Sequence, residues 1–394
     1  MSESEQSENI RLLLVEEGEA LLDVVAAHLA RVCPEWQTVI VSSREEAVSC
    51  LRQRPFHLLL LNLTSADRGV AWLEEVGGME PPPARVILAD TALRERVVSS
   101  PPVAHRFLPK PCRLDVLEET LRGVLKIREG MRSRPGVERL CCEMEVLPVL
   151  PALYLELVDE LDSPRGSLVR AASIAARDPA LAARLLQLAN SPLFLSGAPV
   201  VSVERAAVKL GATILRTVAL ASQLFEQLPL PGFSLDAFWM RAQRVAAMAV
   251  RVVRAEGGSA EQQQIAGSAG LLRGFGQLLL LANLGEEYFS LLRQAEESGI
   301  SLVRLEEERW GASHPQLGAL LLALWGVPWP VVEGVDGHWQ EREPSPVAVA
   351  VQIAEALVTE SGGGPAIEGS LGSLLPDVVP ERLNALRELL KEVV

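Results

Sequence analysis

Asp178-Pro179-Ala180-Leu181-Ala182-Ala183-Arg184-Leu185-Leu186-Gln187-Leu188-Ala189-Asn190-Ser191-Pro192 reads as a helix with both of its ends specified. Asp178 is a helix N-cap, and Pro179 sits in the first turn, where a missing N–H costs nothing. Pro192 disfavours a helical conformation at Ser191 and so stops the helix. Asn190 is then expected to be a buried amide that satisfies backbone groups at the helix end. Working outward, the apolar spacing stays helical from residue 148 to 357, over 152–161, 168–176, 180–190, 203–210, 212–228, 238–256, 260–284, 288–297, 302–310, 314–325, 328–337 and 344–359. Gly and Pro clusters separate these segments, and Gly211 supplies a tight break between two helices that must pack closely. No strand signal interrupts the run, which predicts an all-α region. A Gly-rich break at 361–365 precedes a short amphipathic helix at 380–393.

Upstream the pattern is different. Short apolar runs at 10–15, 38–41, 58–63, 85–89 and 104–108 alternate with helical patterns at 19–32, 44–53, 69–76, 93–99 and 114–128. Strict strand–helix alternation implies parallel strands with crossover helices, hence a doubly wound α/β sheet. Functional groups of such sheets gather at the carboxyl ends of the strands, which points to Glu16, Glu17, Asn62, residues 89–91 and Lys110. A charged stretch at 126–139 continues the last helix towards the helical region. The expected organisation is an α/β domain over 1–128, a linker over 129–146 and a helical domain over 147–394.

The 394 residues carry a formal net charge of −14, with 48% hydrophobic and 22% charged residues. That balance is globular, and the acidic charge argues against a nucleic-acid surface, which depends on cationic side chains. The apolar runs near 278–282 and 320–325 fall short of the ~20 residues that cross a bilayer, and the acidic, polar residues 1–9 lack the features of a signal peptide. A cytoplasmic location without membrane insertion is expected. Five cysteines, Cys33, Cys50, Cys112, Cys141 and Cys142, form no CxxC spacing, so reduced thiols are expected.

The first region resembles response-regulator receivers over nearly its full length. The resemblance rests on Leu12–Val15 with Glu16-Glu17, Leu58–Leu61 with Asn62, Thr91-Ala92, and Lys110-Pro111. It implies a flavodoxin-like fold in which the acidic pair helps hold Mg²⁺, a Ser/Thr senses a phosphoryl group and the Lys contacts it. The position matching the phosphoacceptor aspartate holds Asn62, and an amide has no charged oxygen with which to attack. Replacing a carboxylate also weakens a Mg²⁺ site. Glu16 and Glu17 are then either a residual cation site or a solvated acidic pair. Thr91 is either a switch residue or a strand-end cap, and Lys110 is free to hydrogen-bond Asn62 or pair with Glu17.

The helical region resembles HDOD domains from about residue 147 to 357. Leu147–Pro151, Asp178–Leu181, Leu185–Ser191, Val201–Gly211, Phe238-Trp239, Glu306–His314 and Gly318–Pro328 occur in that family's order. True HD phosphohydrolases carry adjacent His and Asp in this setting, because an imidazole and a carboxylate can jointly ligate a metal that activates water. This chain reads Gly270-Leu271-Leu272-Arg273-Gly274-Phe275-Gly276. Arg273 is cationic and Gly274 has no side chain, so neither can ligate a metal. Trp239 is followed by Met240 and Arg241 rather than by a histidine. His314 is expected to cap its helix or pair with Glu307, and His338 lies beside Asp336 as a two-ligand remnant or a surface group.

These readings lead to a non-catalytic bacterial signalling adaptor that needs no cofactor or metal and works through protein–protein contacts. The resemblance implies signalling partners such as histidine kinases or cyclic-di-GMP enzymes, with a second copy of the chain as a further candidate. Trp310, Trp325, Trp329 and Trp339 and the loop at 193–201 are candidate docking features, with core packing as the alternative for each. Three other readings remain open. One is a divergent metal-dependent phosphohydrolase of nucleotides or cyclic dinucleotides using His314, His338 and Asp336. Another is a phosphorylation-switched regulator. The last is a helical groove that binds a nucleotide messenger through Arg241 and Arg273.

Overall fold

The computed structural model describes residues 10–16, 21–62, 72, 75–76, 83–89, 106–110, 112–134, 136–137, 139–140, 144, 152–163, 165–190, 200–227, 233–325, 327–337, 345–361 and 387. The chain divides into two compact units, residues 1–129 with 162–164, and residues 130–161 with 165–394.

The first unit is built on five strands, β1 (Arg11–Glu16), β2 (Gln37–Val41), β3 (Leu58–Asn62), β4 (Ala84–Ala89) and β5 (Arg106–Pro109). All four pairings are parallel, in the order β2-β1-β3-β4-β5. Residues alternate between faces along each strand, and Leu13, Val15, Leu59, Leu61, Ile87 and Ala89 form one buried cluster with Phe56 and Trp72. Leu12, Leu14, Leu58 and Leu60 point the other way and are buried as well. Apolar residues on both faces mark a sheet covered on both sides, which is why these strands read as continuous apolar runs. Helices α1 (Leu21–Val32), α2 (Arg44–Gln53) and α3 (Leu114–Ser133) belong to this part of the chain, and α3 runs into the charged stretch as expected. The helices expected at 69–76 and 93–99 lie largely outside the described residues. Trp72, Glu75 and Val76 are helical.

The second unit contains α4 (Ala152–Asp162), α5 (Leu168–Ala175), α6 (Pro179–Ala189), α7 (Val203–Gln227), α8 (Leu235–Ala255), α9 (Ala260–Leu272), α10 (Phe275–Leu284), α11 (Glu286–Ser298), α12 (Leu302–Trp310), α13 (His314–Leu324), α14 (Trp329–Asp336) and α15 (Pro346–Glu360). Asp178 caps α6 by accepting from the amides of Ala180 (2.9 Å) and Leu181 (3.1 Å). Asn190 ties the end of that helix to the chain beyond it: its amide donates to the carbonyls of Leu186 and Val200 and accepts from the Val200 amide at 2.7 Å. Gly211 kinks α7 with φ 84°, a conformation that side chains resist.

Helix α9 is the axis of this unit and packs against α7, α8, α14 and α15. A helix touched on all sides has no polar face to show, and Ala266 to Leu272 are all buried. The single helix expected over 260–284 is in fact two, because Arg273 and Gly274 form a turn between α9 and α10. Residues 260–284 are together long and apolar enough to cross a bilayer, but 83% of the most apolar window is buried inside the unit. Small residues allow the close crossings. A Cβ on Gly276 would lie 1.9 Å from the His314 carbonyl oxygen, and one on Gly270 would lie 2.7 Å from Ala246 Cα.

Gly276→Ala is therefore expected to cost about 3 kcal/mol or more, since backbone stands in the way and cannot rotate aside. Gly123→Ala, in α3 with nothing within 4 Å of the new methyl, is expected to add about 0.5–1 kcal/mol. Urea unfolding of both variants, followed by circular dichroism, checks the contrast.

Candidate functional site

Two clusters of polar residues lie where the sequence places functional groups. In the α/β unit the strand register sets Glu16 opposite Asn62 and Asn62 opposite Leu88, at the carboxyl ends of β1, β3 and β4. Lys110 follows β5 there, its amide donating to the Ala89 carbonyl at 3.1 Å. Asn62 is 1% exposed and Glu16 8%. The Asn62 amide nitrogen donates to Glu16 Oε1 at 3.0 Å, and the Leu22 amide, in the first turn of α1, donates to Glu16 Oε2 at 3.1 Å. Glu16 is accordingly not a solvated acid, since it is buried and each of its oxygens accepts a hydrogen bond. The amide's orientation follows from the same contact: turned over, its oxygen would face a carboxylate oxygen. Asn62 Oδ1 is buried with no partner among the described residues, so the hydrogen bond allowed for from Lys110 is not made. Glu17 and Thr91 lie outside the described residues. Among the described residues the strand ends offer one carboxylate, Glu16, and a neutral amide, Asn62, a donor set that does not fit Mg²⁺, which prefers several anionic oxygens.

In the helical unit Arg273 is the largest fully buried side chain. Its guanidinium donates to the Val335 carbonyl at the end of α14. Burial pulls its pKa below the ordinary value, opposed by the carboxylates of Glu355 and Asp336. Glu355 also accepts from Arg241 at 2.5 Å, and the same guanidinium reaches Thr359 Oγ1 at 2.8 Å. Asp336 accepts from Arg134 at 2.5 Å. At the neighbouring position the Phe238 ring fills the space a side chain would need, since a Cβ on Gly274 would lie 2.6 Å from it. A metal does not fit here: the donor positions are a buried cation and a glycine covered by an aromatic ring. The expectation that Arg241 and Arg273 share a groove for an anion also changes, because Arg241 is bound to Glu355 and Thr359 and Arg273 is buried among protein oxygens.

His314 opens α13 and is fully buried. It pairs with Glu306 rather than with the expected Glu307: Nδ1 lies 2.8 Å from Glu306 Oε2, and the His314 amide donates to the same oxygen at 2.9 Å. Tyr288 donates its hydroxyl to Glu306 Oε1. Burial, reinforced by Glu306, holds that phenol well above its usual range. Glu307 instead accepts from Gln316 at 3.1 Å. The carboxylate on Nδ1 places the ring proton there, and His314 Nε2 is buried with no partner among the described residues. His338 lies outside them. Among the described residues no group of three or more His, Cys, Asp or Glu side chains is placed to hold a metal ion.

Glu306, Glu355, Phe238, Tyr288 and Arg134 were not singled out from the sequence as parts of a site. Glu355 had a legible signal, a lone acid in the apolar run Val347–Val358. Of the tryptophans considered for docking, Trp310 stacks on Tyr288 at 6.0 Å and Trp325 packs on Phe275 at 5.3 Å. Trp329 is half-buried and Trp339 lies outside the described residues.

Comparison with known proteins places the helical unit. The HDOD domain model matches residues 147–341. Those residues form an HDOD domain. A crystal structure of an HDOD domain protein with unknown function from Geobacter sulfurreducens is 23% identical, with a TM-score of 0.50, over 67% of this chain and 89% of that one. A candidate signal transduction protein from Marinobacter aquaeolei VT8 is 17% identical, also with a TM-score of 0.50, over 89% of this chain and 85% of that one. At such identities the likeness concerns the fold. An uncharacterised protein of Treponema pallidum (strain Nichols) is 25% identical over 194 residues, which are 49% of this chain and 37% of that protein.

Two outcomes follow from the geometry. Asn62→Asp sets two carboxylates about 3 Å apart and is expected to lower stability at pH 7 by about 1–3 kcal/mol. Repulsion raises the pKa of one acid in the folded state, so the loss should shrink as pH falls through that raised value, and on adding Mg²⁺. Urea titrations at pH 7 and pH 5, with and without the ion, measure it. Glu355→Ala removes the carboxylate from Arg241 and Arg273 and is expected to cost about 3–5 kcal/mol. Arg304→Ala breaks the exposed pair with Glu308 and should cost less than about 1 kcal/mol; thermal unfolding of both variants makes the comparison.

Proposed function

We propose that this chain is a signal-transduction adaptor whose HDOD domain and receiver-like α/β unit act by engaging other proteins rather than by phosphoryl chemistry. The observation that carries this reading is the state of the two positions where an HD phosphohydrolase would hold its metal. One is Arg273, with its charge set among Val335, Glu355 and Asp336; the other is Gly274, under the ring of Phe238.

The α/β unit supports the same reading. Its strand order, β2-β1-β3-β4-β5, is the flavodoxin-like order, and Glu16, Asn62 and Lys110 stand at the strand ends where a receiver carries its phosphorylation site. With Asn62 as donor to Glu16, the contact a metal would make to that acid is made by the protein itself. A phosphohydrolase built from His314, His338 and Asp336 has less support, since Glu306 holds His314 and Arg134 holds Asp336.

Three measurements on the purified chain test the proposal. Elemental analysis should find no stoichiometric Fe, Mn or Zn; a full equivalent that disappears in His338→Ala would replace this reading with the enzymatic one. Acetyl phosphate with Mg²⁺ should add no phosphoryl mass, and a gain would make the α/β unit a phosphorylated switch. Affinity capture from the native host, read by mass spectrometry, is expected to return signalling proteins such as histidine kinases or cyclic-di-GMP enzymes.

A further inference from the structure

Helix α7 packs against α5, α6 and α9, yet one stripe of its first two turns faces away from all of them. Among the described residues of the helical unit, five large apolar side chains stand well exposed: Val169, Val201, Val208, Met240 and Ile300. Three of these belong to α5 and the start of α7. Val201, just ahead of the helix, is 79% exposed, and Val208, seven residues later, is 59% exposed. Seven residues are close to two helical turns, so Val201 stands at one end of the stripe and Val208 at the other, with Glu204 and Arg205 between them. A cleft of about 260 Å³ on the same stripe is lined by Glu204, Arg205, Val208 and Lys209.

Glu204 and Arg205 are adjacent in sequence, and adjacent residues of a helix do not face each other. Neither makes an ion pair with a described residue. Elsewhere in the unit exposed arginines hold acids: Arg170 holds Glu160, Arg177 holds Glu156, Arg304 holds Glu308 and Arg309 holds Glu287. An unmatched acid beside an unmatched base, flanked by exposed valines, is complementary to itself. Two copies of the stripe laid antiparallel about a two-fold axis midway between residues 204 and 205 set Val201 against the partner's Val208, Glu204 against the partner's Arg205 and Arg205 against the partner's Glu204. Such a contact is isologous, so each favourable pair occurs twice. Lys209 falls at the two ends of the contact, away from its own copy, whereas parallel packing would set like charges opposite each other.

We propose that this stripe of α7 is the contact between two copies of the chain, antiparallel about a two-fold axis, with Val201 and Val208 as its apolar anchors and reciprocal Glu204–Arg205 pairs between them. A contact centred on two turns of one helix belongs with the small interfaces, below ~1,200 Å², that form weakly and reversibly. The net charge of −14 adds repulsion between copies, so the valines supply the attraction and the charge pairs fix the register. This goes beyond the adaptor reading, which holds whether or not the chain pairs with itself.

Sedimentation equilibrium of the full-length chain, from micromolar to millimolar concentration, tests the contact. The average mass is expected to climb towards twice that of one chain, and Val208→Glu should hold it at one chain throughout. Glu204→Arg and Arg205→Glu each oppose like charges twice in the dimer and should weaken association roughly 10-fold or more. Combining both substitutions in one chain exchanges the charges and should restore the parent's association. Mixing the two single variants should give a mixed dimer tighter than either forms alone, an outcome that damage to the fold cannot produce. A mass of one chain at every concentration overturns the proposal and leaves the adaptor reading standing. Self-association that ignores the charge reversals, or that neither the exchanged pair nor the mixture restores, places the contact elsewhere and overturns it as well.

Discussion

A guanidinium shielded from water costs several kcal/mol unless oxygens around it make up the loss of hydration, and the burial of Arg273 sets this condition on the helical unit. The oxygens come from separate parts of the chain: Val335 and Asp336 from the end of α14, and Glu355 from the middle of α15. Those helices must converge on the turn between α9 and α10 for Arg273 to be tolerated there. Each carboxylate then needs more than one cation can give, and Glu355 takes Arg241 of α8 while Asp336 takes Arg134. The charges are passed along a chain of partners across the unit, so removing any one weakens the compensation of a buried neighbour.

The α/β unit meets a smaller version of the same constraint. Glu16 is buried at the end of β1, and its two oxygens are satisfied by a backbone amide and by Asn62. An asparagine suits this position because it keeps nearly the volume of aspartate and offers an N–H where aspartate would offer a second negative charge. A leucine would remove the Asn62 hydrogen bond from Glu16 Oε1, and losing a hydrogen bond to a buried acceptor costs about 1–3 kcal/mol. In both units a buried carboxylate is held by hydrogen-bond donors that the fold fixes in place.

Most of the architecture was legible because it follows from local signals. Period-2 and period-3.6 spacing, the Asp178-Pro179 start and the Gly211 break are properties of short segments, and α2 and α12 fall on the expected residues. The division of 260–284 into two helices was missed because Arg273 and Gly274 break no apolar rhythm: the residues on both sides are buried. The site was legible by composition and not by pairing. That Arg273 and Gly274 cannot ligate a metal follows from their side chains alone. That His314 takes Glu306 and not Glu307 depends on which of two adjacent acids of α12 faces inward, and Glu306 shares the buried face of Leu302 and Leu305. The pairing of Arg134 with Asp336 joins positions 202 residues apart, and nothing in either local sequence marks the other.

The exposure of the charged groups indicates where the buried network can be reached. The side chains of Asp336 and Glu355 are 2% and 4% exposed, whereas those of Arg134 and Arg241 are each 17% exposed. The acids are sealed and the outer cations are not, so the network meets solvent at two ends. At one end Arg241 follows Met240, a large apolar side chain that is 60% exposed. At the other Arg134 begins the segment laid against the 310–311 turn. Drawing either arginine away would leave Glu355 or Asp336 with less positive charge beside it, and both of these carboxylates also face Arg273. Loss of either outer arginine would therefore change the charge facing the turn between α9 and α10, where Arg273 lies.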